Sequence, residues 1–160
     1  MSGQIRVRVA DWAVASGEEV ISTLGLGSCV AIVVYDRLRR VGALAHVLLP
    51  NESMANDRRN RAKFPPTAVP LLLEGLRQAG ARGPYVAKLA GGASLFGTLL
   101  PVGGVNMGKR NVDASRKALL DAGVPIVAQD VGGEYGRSVY FHVADGRLIV
   151  KSLTHGERVI

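Results

Sequence analysis

The segment TLGLGSCVAIVVYDRLRRVGALAHVLLP, residues 23–50, decides the predicted fold. It contains two apolar runs, 29–35 and 41–49, which are typical of strands buried on both faces. The charged stretch 37–40 lies between them and is short enough to reverse the chain. The segment therefore predicts a β-hairpin.

The turn fixes which side chains of this hairpin share a face. A two-residue turn at 38–39 places Ala31 opposite His46 and Cys29 opposite Leu48. Cys29 and His46 then become diagonal neighbours on one face, with Cβ atoms about 7 Å or somewhat less apart. A slip of one residue would separate them onto opposite faces.

The rest of the chain predicts a mixture of helices and strands. Helical spacing of apolar residues indicates helices at 69–79 and 112–122, and Pro70 fits the first turn of the first one. Strands are predicted at 5–9, 85–90, 126–131, 138–143 and 147–152, and a long surface loop at 51–66. Since helices and strands do not alternate strictly, we expect an α+β fold with a mixed or antiparallel sheet layered with helices.

Length and composition predict one globular domain spanning residues 1–160, with 48% hydrophobic residues to form its core. No apolar run approaches the roughly 20 residues of a spanning helix, and the first residues lack a signal-peptide pattern. We therefore expect a cytoplasmic protein without membrane insertion. The net charge of +7 favours an acidic partner, but no aromatic residues interleave with the basic clusters 36–40 and 56–63. Nucleic acid is accordingly not expected as a partner.

Cys29 is the only cysteine of the chain, so an internal disulfide and paired-cysteine metal clusters are excluded, and no metal or cofactor is expected. A free thiol has a pKa of about 8.5, and an adjacent imidazole can take its proton and produce the nucleophilic thiolate. His46 is the candidate base. We expect the two side chains to form an ion pair in an accessible groove.

The residues before Cys29 supply two further candidate groups. Thr23 can orient His46, since no acidic residue lies in the strand around the histidine. The small residues Gly27 and Ser28, with Cys29 itself, can turn backbone N–H groups into a concave site that holds an oxyanion. Each feature also has a structural explanation, because lone cysteines, histidines in apolar strands and paired glycines are usually parts of a core or a turn.

Four sequence blocks in order resemble the chemoreceptor glutamine deamidase family, CheD. The first is TLGLGSCVAIVVYD with GALAHVLLP, and the others are AKLAGGASLF (87–96), NMGKRN (106–111) and DVGGEYGRSVYF (130–141). The resemblance implies a layered β-sandwich flanked by helices, similar to cysteine-dependent deamidating toxins. It also implies hydrolysis of glutamine side chains on the cytoplasmic helices of chemotaxis receptors, with Cys29 as nucleophile, His46 as its histidine and Thr23 as the third polar residue.

The resemblance further implies the chemotaxis phosphatase CheC as a partner. Two other functions stay open at this point. One is a different Cys-His amidase that acts on a small molecule, which would need a deep, enclosed pocket. The other is a non-enzymatic chemotaxis adaptor that binds CheC or receptors, for which Cys29 would be dispensable.

Overall fold

The structure is a computed structural model that describes residues 3–95 and 106–160. Phe96, the last residue of the 87–96 block, lies outside them. Within the described ranges the chain forms ten strands, two α-helices and two short 3-10 helices. The strands are β1 Gln4–Arg6, β2 Trp12–Ser16, β3 Val20–Leu26, β4 Val30–Asp36, β5 Val41–Val47, β6 Val86–Gly91, β7 Ile126–Val131, β8 Arg137–His142, β9 Arg147–Ser152 and β10 Gly156–Val159. The α-helices are α1 Pro65–Gln78 and α2 Met107–Asp121, and the 3-10 helices are Glu52–Met54 and Arg61–Lys63.

The strands form two five-stranded sheets, which confirms the predicted mixed α+β architecture. The first sheet has the order β1-β3-β8-β9-β10, and the second has the order β2-β5-β4-β6-β7. Both sheets are mixed, because β1 pairs parallel to β3 and β6 pairs parallel to β7, whereas the other pairs are antiparallel. The two sheets form a sandwich, and α1 and α2 cover the outer face of the second sheet.

Two apolar cores hold these layers together. One lies between the helices and the second sheet and contains Val30, Ile32 and Val34 of β4 with Leu72 and Leu76 of α1. The other lies between the sheets. It contains the alternate residues of β4 with large side chains of the first sheet, namely Ala31, Val33, Tyr35, Ile21, Phe141 and Leu148. Strand β4 is therefore buried on both faces, as its uninterrupted apolar sequence predicts.

The predicted hairpin register is confirmed. Strands β4 and β5 are antiparallel, Ala31 pairs with His46, and Asp36 pairs with Val41 across the turn 37–40. Even-numbered residues of β5 consequently face the first sheet. This parity places His46 between the sheets rather than under the helices.

Several local predictions differ from the structure. Strands β2, β3 and β10 were not predicted, and the strand expected at 5–9 is confined to Gln4–Arg6. Helix α1 begins at Pro65, so Pro70 lies in its interior instead of its first turn. The stretch 51–66 is exposed along most of its length, but the buried side chain of Phe64 fixes its end to the core.

Asp36 holds the hairpin turn in place. Its carboxylate is buried and accepts hydrogen bonds from the backbone N–H groups of Leu38, Arg39, Arg82 and Gly83 and from the Arg39 guanidinium, at 2.9–3.2 Å. Burial alone would raise the pKa of Asp36, but these hydrogen bonds outweigh it and lower the pKa to about 2. The ionised carboxylate thus stabilises the turn that sets the register.

We predict that Asp36→Asn lowers the free energy of unfolding by about 1–3 kcal/mol, because buried N–H donors lose a charged acceptor. In the wild type this stabilisation is complete above about pH 4 and declines as the pH falls toward 2, since the folded pKa lies below the unfolded one. Urea unfolding at several pH values measures both effects. Asp57→Asn, at an exposed carboxylate paired with Arg59, is the control and should leave the midpoint unchanged. Equal midpoints for both variants would contradict the assignment.

Candidate active site

Cys29 lies directly before β4, in the short loop that connects β3 to β4. Its side chain belongs to the core between the sheets and is 8% exposed. Gly25 allows the chain to enter this loop, because it has a positive φ of 70° where the β3–β8 pairing shifts register between Thr23 and Leu26. The loop therefore brings the thiol to one end of the sandwich.

The carbonyl groups of Gly27, Ser28 and Cys29 each accept a hydrogen bond from another part of the chain. The Gly27 carbonyl accepts a hydrogen bond from Ala93 N at 2.8 Å, and the Cys29 carbonyl accepts one from Gly92 N at 2.8 Å. The Ser28 carbonyl accepts one from the side-chain amide of Asn111 at 2.9 Å. Three consecutive peptide groups thus have fixed orientations.

The N–H groups of Gly27, Ser28 and Cys29 differ from these carbonyl groups in having no hydrogen-bond partner in another described residue. Within residues 3–95 and 106–160, none of them donates a hydrogen bond to another residue. The Cys29 N–H interacts with its own sulfur and lowers the thiol pKa, although burial, which raises the pKa, is the larger effect. These donors, which have no partner among the described residues, lie in the loop of the sulfur, where an oxyanion-binding site requires them.

His46 points from β5 into the space between the sheets and meets Thr23 of β3 there. The Thr23 hydroxyl oxygen lies 2.6 Å from His46 Nδ1, and both residues are fully buried. This contact joins the two sheets, since β3 and β5 belong to different ones. The structure therefore brings together Thr23 and His46 as the sequence predicted, and it places Cys29 in the same inter-sheet layer.

The direction of the Thr23–His46 hydrogen bond follows from a third group. Thr23 Oγ1 lies 2.7 Å from the backbone carbonyl oxygen of Val7, which can only accept a hydrogen bond. The single hydroxyl proton of Thr23 is therefore donated to Val7, and the bond to the ring must come from Nδ1–H of His46. In neutral imidazole the other nitrogen, Nε2, then carries a lone pair.

This Nε2 atom is buried and makes no hydrogen bond with any residue that the structure describes. Burial lowers the pKa of His46 from 6.5 to about 4, so the ring is neutral at pH 7. Nε2 is consequently unprotonated at pH 7, and its lone pair can accept a proton as a general base does.

The structure does not show the expected ion pair of Cys29 and His46 in an accessible groove. Burial raises the pKa of the Cys29 thiol while it lowers that of His46, so a neutral thiol and a neutral imidazole are the resting state. The thiol is also largely covered. The physical reason is that the inter-sheet core desolvates both groups, and desolvation disfavours both charged forms.

One group near the loop, Asn111, was not expected from the sequence. Asn111 is fully buried in α2, and its side chain donates a hydrogen bond to the loop. It is the last residue of the 106–111 block, which was used only for the family resemblance. The signal that could have found it is a polar residue at the spacing of the buried helix face, which also contains Gly108, Val112 and Leu119. Gly91 and Gly92 have positive φ values of 108° and 69° and shape the backbone behind Cys29.

Three other polar residues belong to the first sheet or to a turn between its strands. Arg137 is internally paired, since its buried guanidinium contacts the Asp130 carboxylate at 2.5 Å. His142 lies on β8, and His155 stacks on Tyr135 with ring centroids 3.7 Å apart. In the part of the chain that the structure describes, no three His, Cys, Asp or Glu side chains are grouped as metal ligands would be. The same part contains no helix that is long and apolar enough to cross a membrane.

Comparison with known proteins identifies the family. The family model described as CheD chemotactic sensory transduction matches residues 48–152, which begins two residues after His46. The chain belongs to the CheD family. A relative from Caldanaerobacter subterraneus subsp. tengcongensis, named probable chemoreceptor glutamine deamidase CheD, is 41% identical over 157 residues, which cover 98% of this chain and 97% of the relative.

Two further relatives are similar over nearly their full lengths. The chemoreceptor glutamine deamidase CheD of Halalkalibacterium halodurans is 39% identical over 162 residues and is covered completely, as is this chain. The protein of the same name from Thermotoga maritima is 41% identical over 154 residues, with 96% of this chain and 94% of the relative covered. Both alignments extend well beyond the 48–152 match and agree with the CheD assignment.

We predict that NMR of the ring nitrogens will find His46 protonated at Nδ1 and titrating near pH 4, because its Nδ1–H is held by Thr23 and the ring is desolvated. Thr23→Val, which retains the branched shape without the hydroxyl, should abolish the preference for this tautomer. Thr23→Ser, which keeps the hydroxyl, should preserve it. An Nε2-protonated ring in the wild type, or titration near 6.5, would contradict the assignment.

Proposed function

We propose that this CheD-family chain is a protein-glutamine deamidase that hydrolyses glutamine side chains of chemotaxis receptors to glutamate and ammonia. The names of its relatives describe glutamine deamidases of chemoreceptors. The site supports the same reaction, because a thiol, an imidazole and backbone donors without a partner among the described residues belong to the same inter-sheet region. Those are the groups that amide hydrolysis through a thioester requires.

One observation carries the proposal. The Thr23 hydroxyl is committed to the Val7 carbonyl, which leaves His46 with its proton on Nδ1 and its lone pair on Nε2. A histidine that only filled the core would gain stability from a partner at both nitrogens, but Nε2 has none among the described residues. The ring is held in the tautomer that a base for Cys29 needs.

The first half of the proposed reaction forms a thioester. As the Cys29 sulfur attacks the glutamine side-chain carbonyl carbon, its proton passes to His46 Nε2, and the carbonyl oxygen becomes an oxyanion. The N–H groups of Ser28 and Cys29, with that of Gly27, stabilise this oxyanion. The imidazolium then returns the proton to the amide nitrogen, the C–N bond breaks, and ammonia leaves.

The second half restores the enzyme. Water attacks the thioester carbon while Nε2 takes one of its protons, and the protonated ring gives that proton to the departing sulfur. The products are a glutamate side chain and the free thiol. Thr23 orients the ring throughout but brings no negative charge to stabilise the imidazolium, so turnover is slow compared with triads that contain a carboxylate.

We also propose the finer assignments that the family resemblance implies. The whole chain acts as one deamidase domain in the cytoplasm, and its sandwich is related to that of cysteine-dependent deamidating toxins. The mixed sheets with two helices on one outer face support this relation.

Mass spectrometry tests the activity directly. Incubation with cytoplasmic fragments of chemoreceptors should raise the mass of a glutamine-bearing peptide by about one unit, because an acid replaces an amide through the thiol. Cys29→Ala and His46→Ala should abolish the shift. His142→Ala, which removes a histidine of the first sheet, is the matched control and should retain it. A mass shift that persists in Cys29→Ala would exclude the mechanism. If the wild type produced no mass shift, the adaptor alternative would be favoured.

The phosphatase CheC is the second proposed partner. Adding this chain to purified CheC should increase the rate of dephosphorylation, since the family resemblance implies that CheC works faster when this partner is bound. Cys29→Ala should stimulate CheC to the same degree, because binding needs no thiol chemistry. A phosphatase assay across a range of chain concentrations measures the effect. An unchanged rate at saturating concentrations would remove CheC from the proposal.

A further inference from the structure

Asn111 connects the two halves of the proposed site. It lies in the second turn of α2 and is fully buried. Its Nδ2 donates hydrogen bonds to the Ser28 carbonyl at 2.9 Å and to the Leu48 carbonyl at 3.0 Å. Ser28 precedes Cys29, and Leu48 lies two residues beyond His46. A single amide group therefore links the loop of the nucleophile to the strand of the base.

The orientation of this amide is unambiguous. Both atoms that it contacts are carbonyl oxygens, which accept hydrogen bonds and cannot donate them. The NH₂ end of the side chain must therefore face them, and Oδ1 points away. Among the residues that the structure describes, none donates to Oδ1, although the atom is buried. Asn111 thus uses both of its protons on the site and leaves its own acceptor unsatisfied.

The contact with Ser28 controls the direction of an oxyanion donor. In a trans peptide the C=O and the following N–H point in opposite directions, and the Gly83–Pro84 bond is the only cis peptide in the described chain. Fixing the Ser28 carbonyl consequently fixes the N–H of Cys29. Ala93 N acts in the same way on the Gly27 carbonyl and hence on the Ser28 N–H.

The other constraints on this peptide plane are weak. Within the described ranges the Cys29 N–H interacts with its own sulfur but donates to no other residue, and the Ser28 side chain is polar and small. Among the described residues, Asn111 Nδ2 is the group that holds the peptide plane between Ser28 and Cys29. Without it, the plane could rotate, and the donor would no longer point at the carbonyl oxygen that becomes the oxyanion.

We propose that Asn111 is a positioning residue, which aims the Cys29 N–H into the oxyanion site and sets the separation between the Cys29 loop and the His46 strand. This role rests on the proposed function, because the oxyanion belongs to the deamidation reaction. Asn111 touches neither the substrate nor the reacting atoms. It acts through the backbone of Ser28 and Leu48.

Kinetics of Asn111→Ala test the role. We expect kcat for receptor deamidation to fall by about 10- to 100-fold with KM nearly unchanged, since loss of an oxyanion donor affects the transition state rather than substrate binding. Ser115→Ala is the matched control. Ser115 is equally buried one turn further along α2, but its hydroxyl bonds to the Asn111 carbonyl within the helix and not to the loop. Its kcat should match that of the wild type.

A second readout needs no deamidase activity. The pH dependence of Cys29 alkylation by iodoacetamide gives the thiol pKa, and Asn111→Ala should raise it because the Cys29 N–H is no longer held beside the sulfur. Ser115→Ala should leave this pKa unchanged. If the wild type does not deamidate receptors, the proposed function fails, and the alkylation profiles still decide the role of Asn111.

Asn111→Asp covers the case in which the alanine variant does not fold. It keeps the side-chain volume but offers at most one proton to the two carbonyls, so it should also lower kcat and raise the thiol pKa. Thermal unfolding confirms that each variant compared is folded. Variants at Asn111 with kcat within about twofold of Ser115→Ala, or with an unchanged thiol pKa, would overturn the proposal.

Discussion

The hydrogen bond between His46 and Thr23 is the interaction on which the site depends. It joins the second sheet to the first across a buried core, and Val7 sets its direction, because the Val7 carbonyl takes the only proton that the Thr23 hydroxyl can give. The ring therefore has one tautomer and one orientation without any carboxylate partner. A hydroxyl can replace an acid here because burial, rather than charge, keeps the imidazole neutral.

Burial has a second consequence, for the thiol. In the proposed reaction a neutral pair reacts only when an amide carbon arrives to accept the sulfur as the proton leaves, so charge develops on the oxyanion and the ring at the same time. Fixed N–H donors then matter more than a preformed thiolate. The raised pKa also keeps the single cysteine in its thiol form between reactions, and thiols are oxidised far less readily than thiolates.

The sequence predicted the parts of the fold that depend on local pattern. Two uninterrupted apolar runs and a short charged turn were enough to pair Ala31 with His46, and parity then assigned their faces. Strand β3 escaped prediction because Gly25 and the shifted register obscure its alternation. The role of Asn111 was not predicted because its partners are backbone carbonyls distant in sequence. The residue pattern does not indicate which carbonyl a buried amide will contact.

The buried groups of the turn and of the candidate site differ in how completely they are hydrogen-bonded, although Ser22, Tyr85 and Arg137 also have a buried polar atom without a partner among the described residues. Asp36, which holds the turn, has both carboxylate oxygens fully bonded. His46 and Asn111, which belong to the candidate site, each have a buried atom without a partner among the described residues. Such atoms destabilise a fold by about 1–3 kcal/mol each, and the core between the helices and the second sheet offsets them. Because that core lies on the far side of β4 from the thiol, stability and reactivity can be maintained by different side chains of the same strand.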